Sequence, residues 1–181
     1  IIFGGRATGK TYSTLRYLAF NKVKFVYIKR TIDDVRLICS GTGKLGQTKK
    51  EDWGVDLSPF KSLNRDLNWT IKAFQIHDGL GAFFHTDEKG TPEGELVGYI
   101  MALSATTKFK GFDLSDCDVI VFDEFVPKKY DRIMRNEGEE LLDLYQTVSR
   151  DRELKLRPAL KLICLSNADN CASPLTNTLE L

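Results

Sequence analysis

Residues 1–15 read IIFGGRATGKTYSTL, and this stretch decides the fold. Ile1 to Phe3 reads as a short buried strand, Gly4 to Gly9 as a loop, and Thr11 to Phe20 as a helix. Gly4 to Thr11 fits the pattern G-x-x-x-x-G-K-[ST] in full. Average residue frequencies produce that pattern in about one chain in a hundred or fewer at this length, so chance is a poor explanation. Gly4 and Gly9 let the backbone turn. The loop formed with Gly5, Arg6, Ala7 and Thr8 can then aim its N–H groups at an anion, at the positive end of the following helix. Lys10 is expected to reach the outer phosphates of ATP, and the Thr11 hydroxyl to ligate Mg²⁺. The later GTGKLGQT (residues 41–48) imitates the motif, but it lacks the first glycine at the right spacing and follows no clear strand.

Outward from the loop, strands alternate with helices. KFVYIKR (24–30) is a predicted strand, and Ile32 to Ile38 a predicted helix with Asp33 and Asp34 in its favourable first turn. CSGTGKLGQTKKEDWG (39–54) has no apolar period and reads as a mobile loop or insertion. WTIKAFQI (69–76) and GAFFHT (81–86) alternate in polarity and are bridged by His77-Asp78-Gly79-Leu80, as in a hairpin. LVGYIMALS (96–104), DVIVFDEF (118–125) and LKLICLSNA (160–168) are further strands. A helix is expected from Asn136 or Glu137 to about Arg150, with Leu141, Leu142, Leu144, Tyr145 and Val148 on its apolar side. The pattern implies an α/β fold in one domain over residues 1–181: a mostly parallel central sheet flanked by helices, with an inserted hairpin.

The bulk composition excludes several classes. With 181 residues, 42% hydrophobic and 28% charged, the chain suits a globular domain with a full core. No apolar run approaches the roughly 18 residues of a membrane span, and no signal peptide is evident, so no membrane partner is expected. A net charge of +1 excludes a globally basic DNA-coating protein, though not a local contact in a ring or channel. Cys39, Cys117, Cys164 and Cys171 are scattered and read as reduced thiols. His77 and His85 lack companions at zinc spacing. The chain lacks an initiator Met and starts and stops near strands, so it is expected to be a piece of a longer protein.

DVIVFDEF places Asp123 and Glu124 at the carboxyl end of an apolar strand, where ligands sit in parallel sheets. Asp123 is expected in the Mg²⁺ shell, and Glu124 to orient and polarise an attacking water. A second acid beside the metal acid suits hydrolysis better than transfer to an acceptor, so the reading is an ATPase. Asn167, ending the last strand, carries both donor and acceptor atoms suited to sensing the γ-phosphate or positioning the water.

Four stretches in order, GGRATGKT (4–11), FVYIKR (25–30), VIVFDEF (119–125) with LLDLYQTVSRDRE (141–153), and LICLSNA (162–168), resemble the DNA-encapsidation ATPases of small short-tailed phages, relatives of the large terminases. The segment from Gly41 to about Asp66 is longer than the resemblance leads one to expect. The resemblance implies an N-terminal P-loop NTPase domain of the additional-strand catalytic-glutamate type. A C-terminal nuclease-like domain would follow. Such subunits form a homomeric ring, a pentamer by family likeness, on the viral portal of the procapsid in the cytoplasm of the infected bacterium. There they drive double-stranded DNA inward, in some cases with a packaging RNA. Arg150 then matches the arginine that reaches the neighbouring subunit's nucleotide, with Arg152 close enough to compete. Arg6 becomes a second loop charge able to swing between phosphate and Glu124. Lys108 and Lys110 are candidates for a neighbour's nucleotide or DNA. Lys44, Lys49 and Lys50 are candidates for DNA, and Trp53 reads as a core or interface residue. The alternatives are another ring motor (a terminase or the FtsK–HerA type), a nucleotide switch without turnover, or a small-molecule kinase.

Overall fold

The computed structural model describes residues 1–40, 56–109, 111–127, 134, 136–167 and 174–179. Lys44, Lys49, Lys50, Trp53, Lys110 and Cys171 lie outside the described residues. In chain order the strands are β1 (Ile2–Phe3), β2 (Phe25–Lys29), β3 (Ile71–His77), β4 (Leu80–Thr86), β5 (Pro92–Ala102), β6 (Val119–Asp123) and β7 (Lys161–Ser166). The helices are α1 (Lys10–Phe20), α2 (Ile32–Cys39), α3 (Lys61–Leu67), α4 (Glu137–Ser149) and α5 (Pro174–Thr178), with a 3-10 helix over Leu103–Phe109.

The strands form one mixed sheet in the order β1-β7-β6-β2-β5-β4-β3. From β1 to β5 every neighbouring pair is parallel. The β3–β4 hairpin then extends the far edge, β4 pairing antiparallel with β5. The parallel half has the expected consequence: β2 and β6 read FVYI and VIVF and bury those residues on both faces. Because the strands run the same way, the loops after β1, β2, β6 and β7 all emerge at one edge.

Local chemistry sets the boundaries. Helix α1 opens after Gly9, whose φ of +77° favours a residue without a side chain. Helix α2 begins in a capping box: the Thr31 hydroxyl accepts from the Asp34 N–H, and the Asp34 carboxylate accepts from the Thr31 N–H. Gly79 turns the β3–β4 hairpin at φ +81°, and a Cβ there would stand 2.8 Å from that of Ala105. Phe25, Phe60 and Phe83 meet at centroid distances of 5.1–6.4 Å and fill the core beneath β2 and β4.

Several sequence expectations need correction. Ile1, Ile2 and Phe3 are each about half exposed rather than buried, because β1 is two residues long and has β7 as its single neighbour among the described strands. Leu103 and Ser104 leave β5 for the 3-10 helix. Helix α3 lies in the long segment where no helix was expected, anchored by the buried Leu63. On α4, Leu141, Leu144 and Val148 are buried, whereas Leu142 faces solvent. Burial raises the thiol pKa of Cys39 to about 12 and of Cys164 to about 11, as suits inert core thiols.

Candidate functional site

Lys10 crosses back over its own loop. Its ammonium donates to the carbonyls of Gly4 and Gly5, each at 2.8 Å, and to Asn167 Oδ1 at 3.2 Å. Gly4 makes that crossing possible: a Cβ there would lie 3.1 Å from Thr8 Oγ1 and 3.6 Å from Lys10 Cδ. The Thr8 hydroxyl closes the turn by donating to the Gly5 carbonyl at 2.9 Å. Ala7 takes φ +60°, a left-handed conformation that costs a non-glycine residue about 1–2 kcal/mol and persists where surroundings enforce it.

At the end of β6, Asp123 Oδ1 accepts from the Thr11 hydroxyl at 3.1 Å. The other oxygen, Oδ2, accepts from the Tyr27 hydroxyl at 2.5 Å, with Lys29 Nζ at 3.4 Å. Burial, and then the Asp123 charge and hydrogen bond, raise the Tyr27 pKa well above its ordinary value, so the phenol remains a neutral donor. These two contacts turn the carboxylate so that Oδ1 faces Thr11. The pair presents hard oxygen donors of the kind Mg²⁺ takes one or two at a time from protein, so the residues fit that ion. Lys29 Nζ also lies 3.4 Å from Glu124 Oε2 and bridges the two acids. The Glu124 side chain is 48% exposed, against 15% for Asp123.

Arg6, Ala7, Gly9, Lys10, Thr11, Asp123, Glu124 and Asn167 line one cavity of about 470 Å³. The loop residues and the two strand-end acids therefore converge across more than a hundred positions of sequence. Arg6 is exposed at the rim and makes no hydrogen bond or ion pair among the described residues. Chemically, the cavity offers an ammonium for an anion, a hydroxyl–carboxylate pair for a divalent cation, and a second, accessible carboxylate.

The sequence profile of the podovirus DNA encapsidation protein (Gp16) family matches residues 68–180. The chain belongs to that family. Among relatives, the DNA packaging proteins of Bacillus phages PZA and phi29 are each 36% identical over 83 residues, which is 45% of this chain and 24% of theirs. The aligned stretch thus spans about a quarter of those relatives' length. The fold is similar to that of the N-terminal domain of the DNA packaging ATPase from bacteriophage phi29, with a TM-score of 0.66 at 23% identity over 99% of this chain and 77% of that one. It is equally similar to a chain in the bacteriophage Phi-29 viral genome packaging motor assembly, with a TM-score of 0.66 at 22% identity over 99% of this chain and 46% of that one.

Not every site residue expected of this encapsidation-family chain lies in the cavity. Arg150 follows α4 and is exposed at the opposite edge of the sheet, near the amino end of β6. Its electrostatic neighbour there is Asp113, whose pKa is lowered first by hydrogen bonds from Ser115 and further by Lys155 and Arg150. Arg152, two residues on, is 3% exposed and donates to the carbonyls of Pro158 and Cys117 and to the Asp118 carboxylate. A side chain held that way is not free to extend outward, whereas that of Arg150 is exposed. Lys108 lies in the last turn of the 3-10 helix and is exposed. His77 packs on the Phe109 ring edge-on at 6.1 Å, a structural contact.

Sequence reasoning assigned no role to Tyr27, Lys29, Arg30 or Glu137. One signal was present for the first three: β2 is an apolar parallel strand with a basic tail, which topology puts at the carboxyl edge. Nothing local marks Glu137, which meets Arg30 across 107 positions.

Proposed function

We propose that the chain is the ATP-hydrolysing domain of a phage DNA-packaging motor, of the P-loop additional-strand catalytic-glutamate type. The observation that carries this reading is the convergence of Lys10, Thr11, Asp123, Glu124 and Asn167 on one cavity. Strand order supports it as well: β7 lies between the loop strand β1 and the acid strand β6, an additional strand that separates the phosphate loop from the carboxylates. Family membership and the names of the relatives support the packaging role; on this reading double-stranded DNA, the viral portal and further copies in a homomeric ring are the partners, in the host cytoplasm.

On this reading the residues divide the work. The loop Gly4–Gly9 and Lys10 bind the triphosphate. Lys10 now rests mainly on neutral carbonyls and can exchange them for phosphate oxygens without breaking a strong ion pair. Thr11 and Asp123 would hold Mg²⁺, which supplies neutralisation of charge on the β- and γ-phosphates. Glu124 takes the proton of the attacking water or orients it, and Lys29, between the two acids, helps to aim its carboxylate. Asn167 contacts Lys10, which supports a role for it in sensing the γ-phosphate. Arg6, at the rim, is a mobile second charge on the phosphates. Arg150, too far round the sheet to serve its own subunit, stabilises the charge developing in the next one.

The test is steady-state ATP turnover of the full-length protein against protein concentration, with and without DNA. Wild type is expected to accelerate with concentration, because half of each site comes from a neighbour. Glu124→Gln should abolish turnover while retaining ATP binding, and Arg150→Ala should remove the concentration dependence. Fast turnover independent of concentration sinks the shared site. Turnover untouched by Glu124→Gln sinks the ATPase reading altogether.

A further inference from the structure

We propose that Arg30, held by Glu137, is a positioning residue that sets the aim of Glu124 and thereby governs turnover without touching nucleotide. The inference rests on the hydrolysis reading above and goes beyond it.

Glu124 takes φ +54°, an unfavourable left-handed conformation for a residue with a long side chain. Its orientation depends on the peptide that follows, and that peptide is gripped from both sides. The Glu124 carbonyl accepts from Arg30 Nη1 at 3.1 Å, and the Phe125 N–H donates to the Leu165 carbonyl of β7 at 3.1 Å. Arg30 Nη2 takes the next carbonyl, that of Phe125, at 2.9 Å. The guanidinium lies 5.6 Å over the Phe122 ring, and its Nε donates to Glu137 Oε1 at 2.8 Å. One buried cation thus ties the left-handed turn of β6 to the first residue of α4. Arg30 does not line the cavity.

Packing alone is a poor reason for this arrangement. Arg30 is 8% exposed and Glu137 fully buried, and Glu137 Oε2 has no hydrogen-bond partner among the described residues. A buried ion pair with an orphaned oxygen is generally no more stable than apolar side chains of the same volume. What apolar side chains cannot do is hold two consecutive carbonyls at the point where the water-activating carboxylate leaves the strand. Misplacing a reacting group by about 1 Å can reduce a rate about a hundredfold.

The experiment uses the full-length protein, with turnover and affinity for a fluorescent ATP analogue measured separately. Arg30→Met/Glu137→Met removes the clamp while filling the same space, so folding is expected to survive. Its kcat should fall at least about tenfold, with nucleotide affinity within about threefold of wild type. Glu137→Gln leaves an acceptor for Arg30 and should keep turnover within about threefold of wild type. Should the double variant not fold, Arg30→Lys, which cannot span both carbonyls, is measured for the same split between kcat and affinity. Normal kcat in a folded clamp variant overturns the inference, as does a loss that merely tracks weakened nucleotide binding. Wild-type turnover that does not depend on Glu124 overturns it together with the hydrolysis reading.

Discussion

Strand β6 is preceded at its amino end by Asp118 and closes at its carboxyl end on Asp123 and Glu124, and the two ends treat their charges differently. At the amino end, Asp118 Oδ1 accepts from Arg152 at 2.6 Å and from Arg157 at 2.9 Å. Both arginines also donate to backbone carbonyls: Arg152 to those of Cys117 and Pro158, Arg157 to those of Ser115 and Asp116. The two guanidinium groups are well supplied with acceptors. At the carboxyl end one lysine is shared at 3.4 Å between two carboxylates, and the Lys10 ammonium rests on carbonyls and an amide. The tightly paired end fixes the fold, since a buried guanidinium stripped of its partners costs several kcal/mol. The loosely paired end can trade its partners for those of a ligand.

Replacing the loop lysine should break the carboxyl end alone, with the largest effect on function. Lys10→Ala is expected to weaken ATP binding by about a hundredfold, the worth of charge-assisted contacts to phosphate. Thermal stability should change little, because the ammonium bonds to exposed or half-buried carbonyls that water can satisfy in its place. Equilibrium binding of a fluorescent nucleotide, beside a melting curve, reads both.

The amino end should fail in the opposite sense. Arg152→Ala is expected to lower stability by about 3–5 kcal/mol, since it leaves a buried carbonyl and part of a carboxylate unpaired. Nucleotide affinity should stay normal at temperatures where the variant is folded. Arg150→Ala, two residues away and exposed, should stay within about 0.5 kcal/mol of wild type. Denaturant titration of the two variants sharpens the comparison: equal losses would mean that Arg152 does not staple this end.

The contrast between Arg150 and Arg152 also marks what sequence could and could not reveal. Both stand in one charged run, and periodicity placed the helix end at Arg150. Which arginine turns inward is decided by the left-handed Asp151, at φ +59°, and by carbonyls supplied from before β6. The opening strand–glycine turn–helix, the acids at the end of β6 and the parallel core were legible because each is a local spelling with a local cause. Their convergence was legible through the rule that parallel strands share a carboxyl edge. The Arg30–Glu137 pair was not, because 107 residues separate its members and neither breaks a local pattern. Ile2 and Phe3 looked like core for a related reason: an apolar spelling does not say how many neighbours a strand has.

Midway between the two ends, β2 tests whether the sheet transmits or merely supports. Gly98 of β5 pairs with Phe25, and a Cβ there would lie 2.9 Å from both the Phe25 ring and its carbonyl oxygen. Gly98→Ala should destabilise the fold by about 1–3 kcal/mol through overpacking. Because the clash is at the start of β2 and the site at its end, nucleotide affinity in the folded variant should be unchanged. Calorimetry and binding together check it, and a loss of affinity without a loss of stability would mean that the strand carries strain to the site.

The smallest effect belongs to Asp118 and is visible in its pH dependence. Burial pushes its carboxyl upward, but the Arg152 and Arg157 hydrogen bonds and charges outweigh that, and its pKa falls below the ordinary 3.8. A carboxylate with a depressed folded pKa contributes stability that is fully present above its unfolded value and is lost as pH falls through the folded one. Asp118→Asn should therefore cost stability at neutral pH, and the gap to wild type should close below about pH 4. The side chain is 42% exposed, so solvent screening limits the gap to about 1 kcal/mol or less. Chemical denaturation of wild type and variant at a series of pH values measures it directly. Absence of any gap at neutral pH would mean that the arginines are held by the neighbouring carbonyls and not by this charge, and the amino end would then owe its rigidity to backbone contacts alone.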